Sequence, residues 1–87
     1  MKLKYEFAVN EVFGTWCAVA VGDSAREFSG VITLNESAAD MMKLLSKEIS
    51  EEELVQQMLE MYDAPEADIR KDVKDFVARL EAEKVLA

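Results

Sequence analysis

Histidine is absent from this chain, and cysteine and proline occur once each. Without histidine the sequence lacks the commonest general base and the commonest transition-metal ligand. A lone Cys17 excludes an internal disulfide and a cysteine-built zinc site. The three glycines are too far apart to form a phosphate-cradling loop, and no nucleophile elbow or Walker-type sequence is present. Basic residues are scarce: ten Lys and Arg stand against eighteen Asp and Glu, a net charge of −8. Nucleic-acid binders draw affinity from cations that neutralise phosphates, so this balance opposes DNA, RNA and anionic membranes as partners. No run approaches the roughly 20 apolar residues needed to cross a bilayer. The opening Met1-Lys2-Leu3-Lys4-Tyr5-Glu6 places an acid where a signal peptide needs apolar residues, which predicts a cytoplasmic protein. The Asn35-Glu36-Ser37 sequon then has no role as a glycan acceptor.

What is present is enough for one modest core. Half of the 87 residues are apolar, and a chain of this size buries only about 60% of its unfolded surface. A single domain over residues 1–87 is expected.

The first third has the period of strands. Residues Lys4 to Val9 alternate, with Tyr5, Phe7 and Val9 on one side. Thr15 to Val21 is apolar on both faces, Cys17, Val19 and Val21 opposing Trp16, Ala18 and Ala20, which marks an inner strand. The polar tract Gly22 to Glu27 reads as a turn, and Phe28 to Leu34 as a third strand with Phe28, Ile32 and Leu34 on one face. These predict a three-stranded antiparallel meander. Helical signals follow. Asn35 is suited to cap a helix running to about Leu45, whose inner stripe is Ala38, Met41, Met42 and Leu45. Ser50 and Glu53 form a capping box before the stripe Leu54, Val55, Met58, Leu59 and Tyr62. Pro65 fits the first turn of a third helix, in which Ile69, Val73, Phe76, Val77 and Leu80 make the clearest apolar face. Glu66 with Arg70, and Asp75 with Arg79, stand at ion-pair spacing. The fold class is therefore α+β: three strands, then three helices.

Several features have ordinary explanations. Glu51-Glu52-Glu53 suits the positive end of a helix dipole, and Asp68, Asp72 and Asp75 suit a solvated helix face. Cys17 reads as a small buried hydrophobe, and Met41, Met42, Met58 and Met61 as core filling. Trp16 suits either packing under a helix or contact with a partner. An open three-stranded sheet, however, has two edges with unpaired backbone groups, and an edge accepts an added strand.

The strand ending Ile32-Thr33-Leu34-Asn35 and running into Ser37-Ala38-Ala39 resembles the PqqD-like peptide chaperones, also called precursor recognition elements of ribosomally synthesised, modified peptides. So do the Ser50 helix start with Glu53-Leu54 and the third-helix pattern Asp72-Val73, Phe76-Val77, Leu80. The chain departs from that family in two places. Val31 and Ile32 stand where aromatics are common, and Lys84-Val85-Leu86 replaces a glycine-containing end. The resemblance implies a winged-helix-like domain without catalytic residues or cofactor. It would bind the leader of a precursor peptide as an added strand and present it to a modifying enzyme, often a radical SAM maturase. On this sequence, the backbone of Ser29, Gly30, Val31, Ile32 and Thr33 would pair with the peptide, while Val31, Ile69, Asp72, Val73 and Phe76 would place side chains in or around the groove. Two alternatives share the composition: a winged-helix nucleic-acid-binding regulator, which the acidic third helix opposes, and a non-catalytic structural subunit of an enzyme complex.

Overall fold

The computed structural model describes residues 1–87. Strands β1 (Phe7–Val12) and β2 (Thr15–Ala20) form a hairpin, and one helical turn, α1 (Ser24–Glu27), leads to β3 (Val31–Leu34). Helices α2 (Glu36–Leu44), α3 (Glu51–Met61) and α4 (Glu66–Ala82) follow. The sheet is antiparallel in the order β1-β2-β3, so β2 is the inner strand, as its two apolar faces predict.

Register decides which face becomes core. Phe7 opposes Ala20, and Val9 opposes Ala18, which in turn opposes Ile32; Trp16 opposes Leu34. Ala18, Ala20, Ile32 and Leu34 are buried under the helices. The other face, carrying Asn10, Cys17, Val19, Val31 and Thr33, has no helical layer as its cover, because strand side chains alternate. Cys17 is consequently half-buried on that outer face, which corrects its reading as a buried hydrophobe. Trp16 lies on the inner face, packed against the core with the Lys43 ammonium 5.0 Å from its ring centroid.

The expected boundaries of the first and third strands move. β1 begins at Phe7, because the first residues form a strap: Leu3 bridges Leu86, Lys4 donates to the Val85 carbonyl at 2.7 Å, and Leu3 donates to the Leu45 carbonyl at 2.9 Å. The strap ties both ends of the chain to the turn after α2. β3 begins only at Val31. Gly30 has φ of 120°, open to glycine and strained for other residues, and the kink releases Phe28 from the strand to meet Tyr5 and Phe7 with ring centroids 5.8 and 5.5 Å away. The ring is half-buried in that aromatic cluster.

The helices follow their sequence signals closely. Asn35 Oδ1 accepts from the Ala38 N–H at 2.8 Å, and the Ser50–Glu53 capping box is fully formed. Pro65 sits one position before the helix expected of it, at the N-cap of α4, where its extended ψ of 140° leaves its carbonyl free to accept from Ile69. Met41, Met42, Leu45, Leu54, Met58, Val73 and Leu80 fill the core. Met61 does not: it is 47% exposed, since it falls off the α3 stripe.

α4 is braced against α3 by Arg70, whose guanidinium donates to both Glu52 carboxylate oxygens at 2.7 and 2.9 Å and to Glu66 at 2.7 Å. The expected Asp75–Arg79 pair does not form. Asp75 instead accepts from Lys71 at 2.9 Å, a helical turn in the other direction. That leaves the Arg79 guanidinium without a carboxylate partner.

Candidate peptide-binding site

β3 pairs with β2 on one side only, so its other edge presents unpaired backbone groups. Immediately beyond its last residue, the chain turns into α2 at Asn35. There a cleft of about 230 Å³ opens between the start of α2 and the middle of α4. One wall is Asn35, Ser37, Ala38 and Met41; the other is Asp72, Asp75, Phe76 and Arg79. A second cleft of about 350 Å³ shares Asn35, Ser37 and Asp72 and continues to Tyr62, Ala64 and Ile69. Together they form one groove beside the free end of β3.

Both walls are locally fixed. Asn35 Oδ1 accepts from Ala38 N–H and from Ser37 Oγ, at 2.8 and 3.1 Å, which holds the first turn of α2 in place. The Tyr62 hydroxyl donates to Asp40, linking the end of α3 to the middle of α2. α4 is anchored from below by Ile69, Val73, Phe76, Val77 and Leu80, all buried. Positions 72, 75, 76 and 79 share one helical face at spacings of three and four, so two carboxylates, a phenyl ring and a guanidinium line the same wall. Such a surface offers polar contacts of both signs around an apolar patch. No three acidic or cysteine side chains converge to hold a metal ion.

The site residues expected from sequence divide by depth. Val31 is 61% exposed and Thr33 is exposed, both on the outer face of β3, while Ile32 is buried beneath them. Ile32 can therefore offer a ligand only its backbone. Ser29 and Gly30 precede the strand and are exposed. Asp72 and Phe76 line the first cleft, and Ile69 with Asp72 the second. Val73 is 1% exposed and supports the wall from behind without reaching the groove. Sequence reasoning missed Asn35, Ser37, Asp75 and Arg79 as wall residues. The last two were accessible to it, being one turn of helix from Asp72 and Phe76.

The family model for coenzyme PQQ synthesis protein D, PqqD, matches residues 20–86. The chain belongs to the PqqD family. In this PqqD-family chain the match takes in β3, α2 and α4, the elements that build the groove. Its fold is also that of TbiB1, solved in complex with the TbiA(beta) leader peptide. The two superpose with a TM-score of 0.70 at 16% identity, over 99% of this chain and 94% of TbiB1. No curated protein matches the chain in sequence.

Proposed function

We propose that this PqqD-family chain binds the leader segment of a ribosomally synthesised precursor peptide by strand addition to β3 and presents it to a modifying enzyme. The observation that carries the reading is the unpaired β3 edge, standing beside a groove whose far wall is α4. An extended peptide laid against β3 gains main-chain hydrogen bonds from the edge, and alternate side chains turn either toward the groove or toward Val31 and Thr33 on the outer face. Selectivity follows from Asp72, Phe76 and Arg79. A leader segment with an apolar residue flanked by polar or charged ones fits them. The fold shared with TbiB1, a protein solved with a leader peptide, supports the same reading.

The chain does no chemistry in this role, acts as a single cytoplasmic unit, and delivers the peptide to an enzyme such as a radical SAM maturase. A nucleic-acid role is disfavoured by Asp68, Asp72 and Asp75, all exposed on α4, the helix that would have to approach phosphates.

Titration of the isotope-labelled chain with a candidate leader, followed by backbone amide shifts, tests the proposal. Changes concentrated at Ser29 to Thr33 and along Asp72 to Arg79 are expected. Val31→Lys should weaken the complex while leaving the thermal transition intact. Saturable binding that perturbs only the β1–β2 hairpin, or only α3, would overturn the β3 assignment.

A further inference from the structure

The largest cleft in the molecule, about 560 Å³, lies away from β3, between the N-terminal strap, the inner face of β1 and α2. Phe7 and Val9, only half-buried because α2 covers the edge strand incompletely, form its apolar side with Tyr5. Lys2, Lys4 and Lys43 line it as well. That is three of the ten basic side chains of a chain with net charge −8, gathered in one place with a single acid, Glu6. None of the three is in a salt bridge; the ion pairs of this protein use the N-terminus, Arg70 and Lys71. Lys4 and Lys43 instead lie over the rings of Tyr5 and Trp16, 5.5 and 5.0 Å from the centroids, and both side chains are exposed. Alongside runs the outer edge of β1, which pairs with no strand.

We propose that this cleft is a second docking site, which takes an extended acidic segment of a partner protein. The edge of β1 supplies backbone pairing, Tyr5, Phe7 and Val9 receive apolar side chains, and the three ammonium groups receive carboxylates. A polyphosphate or duplex nucleic acid fits less well, because three cations cannot offset the repulsion of the acidic surface around them. The site shares no residue with the groove beside β3. Since strands lie about 4.8 Å apart, the two edges of a three-stranded sheet are far enough apart to be filled together. The chain can then hold one peptide on β3 and a second protein on β1.

The test titrates the labelled chain with a synthetic peptide that alternates aspartate with leucine and phenylalanine, and with the same peptide carrying asparagine for aspartate. Saturable shifts are expected in Lys2 to Val9 and in Met42 to Ser46 with the acidic peptide alone. Affinity should fall about tenfold or more in a Lys2→Glu, Lys4→Glu, Lys43→Glu variant, and also when salt rises from about 50 to about 300 mM. All three lysines are exposed, so the variant should keep its circular dichroism and melting transition; Lys43→Glu alone serves if it does not. Equal binding of the asparagine peptide, shifts centred on Val31 to Leu34, no saturation at millimolar peptide, or tighter binding of tripolyphosphate or duplex DNA would overturn the proposal. So would self-association lost in the lysine variant, which would assign the cleft to a second copy.

Discussion

The hydroxyl of Tyr62, at the C-cap of α3, donates a hydrogen bond to the carboxylate of Asp40, 22 residues earlier in α2. Neither helix signals the other in sequence, yet this bond closes the far end of the groove in which Tyr62 is a wall residue. A bond to a charged acceptor in a half-buried place stabilises more than an exposed ion pair does. Tyr62→Phe should cost about 1–2 kcal/mol in urea melts, and Asp40→Asn less, since the amide oxygen still accepts. Equal stability of Tyr62→Phe and wild type would show that the bond contributes nothing.

The same bond sets a response to alkali. Tyr62 is pushed up to about 12, chiefly because its proton bridges to Asp40 and because burial and the carboxylate charge both oppose a phenolate. The folded chain thus holds this proton more tightly than the unfolded chain, in which a tyrosine ionises near 10. Its contribution to stability is full below about pH 10 and is lost as pH rises toward 12. In a Tyr5→Phe background, phenolate absorbance should report one phenol ionising near 12, and adding Asp40→Asn should lower that midpoint. A midpoint near 10 in the folded chain would contradict the geometry.

At the acid end, Glu52 is held down to about 2 by hydrogen bonds from Arg70 first and Gln56 second. The stabilisation it brings is present above the ordinary glutamate range and is lost as pH falls toward about 2. Both side chains are well exposed, so screening keeps that contribution small. Carboxyl-carbon titration should find the Glu52 midpoint near 2, rising toward the ordinary range of about 4 in Arg70→Gln. No change in that variant would place the cause elsewhere.

Lys84 and Phe13 carry side chains at left-handed turn positions where glycine or asparagine would be less strained. Lys84 follows α4 with φ of 60°, in a cap where Lys84 N–H reaches the Glu81 carbonyl at 3.0 Å and Val85 N–H the Leu80 carbonyl at 3.2 Å. Lys84→Gly should stabilise by about 1 kcal/mol, and Gly30→Ala, at φ of 120° with open space around it, should destabilise by a similar amount. Thermal melts of the two variants shifting in the same direction would refute the backbone argument.

At the β1–β2 hairpin tip, Phe13 and Gly14 have φ of 51° and 79°, a two-residue turn with both centres left-handed. Phe13 is fully exposed, so its ring gains no packing to offset the strain. Phe13→Asn should raise the melting temperature, by an amount equivalent to about 0.5–1 kcal/mol. A lower melting temperature would mean that the ring is packed in solution.

What the sequence alone determined here is local and periodic. Alternation marked the outer strands, and apolar residues on both faces identified β2 as inner; the stripes through Met41, Val55 and Val73 marked the buried helix faces; Asn35 and Ser50 marked helix starts. Each depends on neighbours within a few residues. The groove was legible only in outline, because helical spacing reveals which residues share a face of α4 but not which of them surface beside β3. Tertiary structure decided that Val73 stays beneath the wall while Asp75 and Arg79 join it. It also decided that Phe28 leaves β3 for Tyr5 and Phe7, and that Asp75 turns to Lys71. The lysine-lined cleft is of the same kind. Lys2, Lys4 and Lys43 are distant in sequence and ordinary singly, and meet because Leu3 and Lys4 are tied back to Leu45 and Val85. Such meetings are set by long-range packing, in which the apolar area buried by the whole chain outweighs the preference of any one segment.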